Sequence, residues 1–134
     1  MGMYTELVFG AELKEKTPLA IIEILKVMFG INEELPPKYE DQQENFPKSG
    51  HIPHGGSYYF GVHNSHSRMM YDEVSKAWNL SIRCNVKNYH NQIQNFVNWI
   101  MPYVEQGAGE EQILGYMIYE EDRKPRLIYK GDKL

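Results

Sequence analysis

Apolar and polar positions alternate through residues 3–14, MYTELVFGAELK. Thr5, Leu7, Phe9, Ala11 and Leu13 point one way, and Tyr4, Glu6, Val8, Gly10 and Glu12 the other. Successive side chains of a strand leave opposite faces, so this segment predicts a strand with one buried face. At Thr17-Pro18 the period changes. Thr is a favoured N-cap and Pro a favoured first helical residue. Leu19, Ile22, Leu25, Val27, Met28 and Phe29 then form a broad apolar stripe. The pattern predicts a helix over 18–29 that stops at Gly30, a C′ glycine.

Residues 31–56 follow neither period. They hold four prolines and three glycines among many polar residues, which predicts a long irregular loop, with Tyr39 and Phe46 as its apolar anchors. A loop of that length in a small domain is commonly functional or mobile. Ser57 to Val62, SYYFGV, reads as a second strand, and His63 to Lys76 as a polar connection with room for a helical turn. AWNLSIRCNVKN (77–88) is the clearest strand. Trp78, Leu80, Ile82, Cys84 and Val86 face inward; Asn79, Ser81, Arg83, Asn85 and Lys87 face outward. One sheet face is packed and the other is wet. Asn88 is placed to cap a helix over 89–105, whose Ile93, Phe96, Val97, Ile100, Met101 and Val104 repeat at helical spacing. Pro102 lies near its end, and Gly107 and Gly109 terminate it. ILGYMIYEE and RLIYK predict a hairpin turning at Asp122 to Pro125.

The predicted order is β-α-β-β-α-β-β. This implies a single α+β domain over 1–134: a two-layer sandwich with two helices on one face of an antiparallel sheet, ferredoxin-like with an added C-terminal strand.

Length and charge narrow the function. A chain of 134 residues suits one domain. A net charge of −4 and a pI near 5.7 are the wrong sign for a nucleic-acid binder. The main basic cluster, Arg123, Lys124 and Arg126, adjoins Glu120, Glu121 and Asp122 and reads as a solvated turn. A single cysteine, Cys84, excludes an intrachain disulfide and favours a reducing compartment. No run approaches the ~20 apolar residues of a membrane span. Glu6 and Glu12 interrupt the apolar N-terminal run, against a signal peptide. Met3 reads as the natural start. These features predict a cytoplasmic protein without membrane attachment.

The strongest chemical hint is HIPHGGSYYFGVHNSH, residues 51–66, which holds four of the five histidines. Neutral imidazoles at His51, His54, His63 and His66 are the right ligands for zinc. Their spacing argues against a regular site. Pro53 separates one pair in a loop, and no H-E-x-x-H or paired cysteines accompany them. Loop histidines without a role are the plainer reading. A phosphodiesterase of the paired H-x-[ST] type would need a second copy of His63-Asn64-Ser65. Cys84, on an apolar strand face, reads as inert. Gly55-Gly56 precedes a strand rather than a helix, so it is no phosphate loop.

The outward sheet face offers another site. Tyr58, Arg83, Asn85 and Lys87 would stand together there, and aromatics with Arg are favoured at protein interfaces. The same types serve RNA-binding sheets, where bases stack on aromatics. No RNP-type motif is present.

The opening M-Y-T-E-L and G-x-E-L-K, the T-P before the first helix, S-Y-Y-F, I-R-C-N-V-K-N-Y and the late G-Y-x-x-Y-E-E with L-I-Y together resemble a group of small uncharacterised proteins of bacteria and their phages. The resemblance spans most of the chain. It implies an accessory role and carries no catalytic residues. The sequence thus predicts a non-catalytic accessory or protein-binding domain, without cofactor, with a protein partner or a second copy of itself bound through the open sheet face. A metal-dependent hydrolase built on the four histidines, taking a divalent metal, is the first alternative; an RNA-binding sheet using Tyr58, Arg83 and Lys87 is the second.

Overall fold

The computed structural model of the chain describes residues 3–39, 52–56, 66–105, 107 and 112–134. Among these it is an α+β structure with a five-stranded antiparallel sheet and two α-helices. The strands are β1 (Thr5–Glu12), β2 (Arg68–Asp72), β3 (Ala77–Val86), β4 (Ile113–Tyr119) and β5 (Arg126–Tyr129). Their order across the sheet is β2-β3-β1-β4-β5, every neighbouring pair antiparallel. This five-stranded order differs from that of a four-stranded ferredoxin-like sheet.

The inward face of β1 is as the alternation predicts. Leu7, Phe9 and Ala11 lie opposite Cys84, Ile82 and Leu80 of β3, and all six are buried in one core. Helices α1 (Leu19–Met28) and α2 (Gln92–Ile100) bury their stripes in that same core. Phe96 of α2 meets Phe9 edge to face, ring centroids 6.4 Å apart. Lys26 of α1 lies over the ring of Trp78, on the same side of β3. Both helices thus cover one face of the sheet.

The ends of the helices correct the sequence reading in detail. Pro18, not Thr17, is the N-cap of α1; the Thr17 hydroxyl instead donates to the Lys14 carbonyl at 2.6 Å. The C-terminus follows expectation. Gly30 has φ +76°, its N–H donates to Val27 O and that of Ile31 to Lys26 O, which is a Schellman motif. Asn91, not Asn88, is the N-cap of α2; the Asn88 Oδ1 reaches past it to accept the Ile93 N–H at 2.7 Å in the first turn. The helix is shorter than its periodicity suggests. Residues 89–91 and 101–103 are 3₁₀ turns, and Val104 leaves the helix to bridge Leu13. Val104 is fully buried, so its apolar spacing fits either state.

The largest correction concerns β2. Residues 68–72, read from the sequence as part of a polar connection, form a strand on β3. The strand expected at 57–62 and the loop anchor Phe46 lie outside the described residues. In the described part of the long loop, the 3₁₀ turn Ile52–His54 is anchored by Ile52, which is fully buried. The hairpin β4–β5 forms as expected, with a bulge between Ile113 and Gly115.

Candidate functional site: the open face of the sheet

The face turned away from the helices is laid out by cross-strand register. One row runs Arg83, Val8, Tyr116, Leu127; the next runs Asn85, Glu6, Ile118. Over β4 and β5, with Val8 of β1, the face is apolar and aromatic, while β1 adds the acids Glu6 and Glu12. The half over β2 and β3 is polar, with Arg68, Asn79, Ser81, Arg83 and Asn85.

This face is not uniformly wet, contrary to the alternation. The Glu6 side chain is only 7% exposed, although it points away from the core. Arg83 Nε donates to its Oε1 at 2.9 Å. The two are diagonal neighbours, since Arg83 lies opposite Val8 and Asn85 opposite Glu6. A carboxylate held out of water needs a partner of this kind. Arg83 itself is 41% exposed along its side chain, so the pair is buried at its acid end and open at its base end. Asn85 is also buried, and its Oδ1 has no hydrogen-bond partner among the described residues. Lys87 is exposed and stands 6.0 Å from the Tyr4 ring centroid. Three of the four surface residues read from the sequence are therefore neighbours, with Asn85 beneath the surface; Tyr58 lies outside the described residues. Sequence reasoning missed Glu6. A single acid in an alternating strand carries no mark of burial, and its partner is distant in sequence.

Cys84 sits on the opposite side of β3, fully buried. Burial pushes its thiol up to about 12, and the negative charge of Glu6 adds to the effect. The native protein therefore keeps the proton on sulfur into strongly alkaline pH, and the stability tied to it, full below the ordinary thiol value of 9.0, is lost as pH rises from there to about 12. A disulfide reagent at mildly alkaline pH is expected to find no thiol in the native protein and one per chain after denaturation. Native labelling at the rate of a free cysteine would contradict this burial.

The histidines are divided. His51 and His63 lie outside the described residues. His54 ends its 3₁₀ turn against Gly30, with Nε2 3.6 Å from the place a β-carbon of Gly30 would take. His66 exchanges backbone hydrogen bonds with Arg83, and the pleat puts its side chain on the open face beside Arg83. His54 and His66 thus stand on opposite sides of the sheet edge, both exposed. Among the described residues, no group of three or more His, Cys, Asp or Glu side chains could hold a metal ion.

A groove of about 500 Å³ lies between β2 and β3 on this face, lined by Arg68, Met70, Asp72, Val74, Asn79 and Ser81 among others. It went unseen in the sequence because β2 did. No helix among the described residues is long and apolar enough to cross a membrane. Comparison with family models, with curated proteins and with solved structures finds no match to the chain.

Proposed function

We propose that the protein is a non-catalytic accessory domain that binds another protein through the open face of its sheet. The observation that carries this reading is the make-up of that face. Tyr116, Val8 and Ile118 are half-buried there, Leu127 and Ile113 are exposed by 43% and 54%, and Arg83 borders them. Aromatic and apolar side chains edged by Arg are what protein interfaces favour at their centres. The opposite charge of Glu6 holds the Arg83 side chain in place before any partner arrives, which lowers the ordering cost of binding.

Two other readings are weaker on the same ground. An RNA-binding sheet would set the exposed Glu12 against phosphate in a chain of net charge −4. A metal-dependent hydrolase would rest on His51, His54, His63 and His66, of which the two described ones diverge. Cys84, read from the sequence as inert, is held protonated in the core. For the fold, we read β2-β3-β1-β4 with α1 and α2 as a ferredoxin-like unit, to which β5 is added. We place the protein in the cytoplasm, on its lone cysteine.

The test uses Tyr116→Lys with Leu127→Lys, both at partly exposed positions. Affinity capture from cells that make the protein is expected to enrich one or a few proteins. The double variant loses them at least about tenfold while its melting temperature holds, as expected when central aromatic contacts are removed. Capture abolished by nuclease would favour the RNA reading. Stoichiometric zinc, iron or manganese in the purified protein, lost when the four histidines become alanine, would replace the proposal with the hydrolase.

A further inference from the structure

The outer edge of β2 is a separate feature. Among the described residues β2 pairs only with β3, and Arg68, Met70, Tyr71 and Asp72 are all exposed. The ladder fixes where its spare backbone groups point. His66 exchanges both backbone hydrogen bonds with Arg83, at 2.8 and 3.1 Å. In an antiparallel pair, residues that exchange both bonds alternate with residues that make neither. Arg68, Met70 and Asp72 therefore turn their N–H and C=O groups toward β3, while Met69 and Tyr71 turn theirs outward. Such an edge is a template for another strand, and proteins normally block it with lysine, proline or a bulge. RMMYD has no lysine and no proline, and its pairing with β3 runs without a bulge.

The charges identify the strand that fits. Two copies of β2, antiparallel about a twofold axis at Met70, set Met69 of one against Tyr71 of the other. Those are the residues whose outward backbone groups have no partner among the described residues. The same register sets Arg68 against Asp72 of the second copy, and does so twice. Both pairs fall at non-hydrogen-bonded positions, where facing side chains are closest. Met70, 45% exposed, meets its own counterpart on the axis. Sliding one strand by two residues keeps the ladder but leaves Arg68 facing Met70 or Val74. Charge, backbone direction and apolar exposure thus agree on a single register.

We propose that the protein forms a homodimer by antiparallel pairing of its β2 edges, centred on Met70, which joins two sheets into one. The interface is distinct from the open-face apolar patch, so it stands or falls separately from the binding reading above.

Sedimentation equilibrium of the full chain over a concentration series tests this. The parent is expected to show a monomer–dimer equilibrium. Arg68→Glu places two acids against two Asp72 side chains and weakens the dimer at least about tenfold. Asp72→Lys does the same with positive charge. Mixed in equal amounts, the two variants restore attraction at both pairs and form a heterodimer. Asp72 also accepts the N–H of Val74 at 2.9 Å within the β2–β3 turn, so Met70→Lys serves as a second single variant, exposed and clear of that turn. It sets like charges face to face on the axis and is expected to give a monomer with unchanged circular dichroism. A parent that stays monomeric throughout, an Arg68→Glu protein that associates as the parent does, or a mixture of folded variants that fails to pair would each overturn the proposal.

Discussion

Phe96→Ala is expected to lower folding stability by about 4 kcal/mol, the range for deleting a buried aromatic ring. Phe96 is fully buried. It is the contact by which α2 sits on the middle of the sheet, edge to face with Phe9, and its other side meets Trp99 at 6.2 Å. The alanine leaves a cavity that Ile93, Val97 and Ile100, fixed on the same helix, cannot fill. Domains of this size are stable by only about 5–15 kcal/mol in all, so the loss is a large share of the total. Urea unfolding followed by tryptophan fluorescence measures it as a lower midpoint with an unchanged slope. Tyr89→Ala, at a position 56% exposed, is the control and is expected to change little. A loss below about 1 kcal/mol for Phe96→Ala, inside the scatter of surface substitutions, would mean that α2 is not seated on Phe9.

Gly115→Ala is the second large effect, expected at about 3 kcal/mol. Gly115 has φ +157° at the β4 bulge. A β-carbon there would stand 2.9 Å from Phe9 Cα and 2.7 Å from the Val8 carbonyl carbon, and would overlap the Val8 oxygen. All of these are backbone atoms of the central strand. Relief therefore requires β1 and β4 to separate, breaking part of their ladder. A drop in melting temperature of about 10 °C would report it, at the few degrees per kcal/mol typical of this size. Gly10→Ala provides the contrast, because its β-carbon would meet only the Leu80 carbonyl oxygen, at 3.6 Å. Equal effects at the two glycines would show that the close approach at the bulge is not real.

Elements with one fully buried face were legible in the sequence. β1 and β3 alternate because the helices cover one side of them and leave the other largely to solvent. α1 and the middle of α2 carry stripes for the same reason. β2 was illegible because it buries only Met69; a strand at the sheet margin has no second layer to impose a period. The length of α2 was overestimated because Val104 is buried by a bridge to β1 rather than by a helical turn. At the site, Arg83 and Lys87 were legible as outward residues of a plain strand. The burial of Glu6 and Asn85 was not, since it depends on which strands become neighbours, and the pairing of Glu6 with Arg83 is a product of topology. The groove beside β2 was hidden with the strand that forms it.

The position of β1 has a consequence for how the chain folds as it is made. It is synthesised before either of the strands it pairs with, and it lies at the centre of the sheet formed by the described residues. Thr5 pairs with Val86 on one side and Tyr119 on the other. Neither partner exists when β1 emerges from the ribosome, and β4 follows only after β3 and α2 have been made. Contacts this distant in sequence make folding slow. Throughout that interval Leu7, Phe9 and Ala11 are an apolar strand with two open edges, the kind of segment that aggregates or recruits a chaperone. A chain truncated before β4 would be left with its central strand half paired, and is expected to be lost to proteolysis rather than to persist as a smaller folded unit.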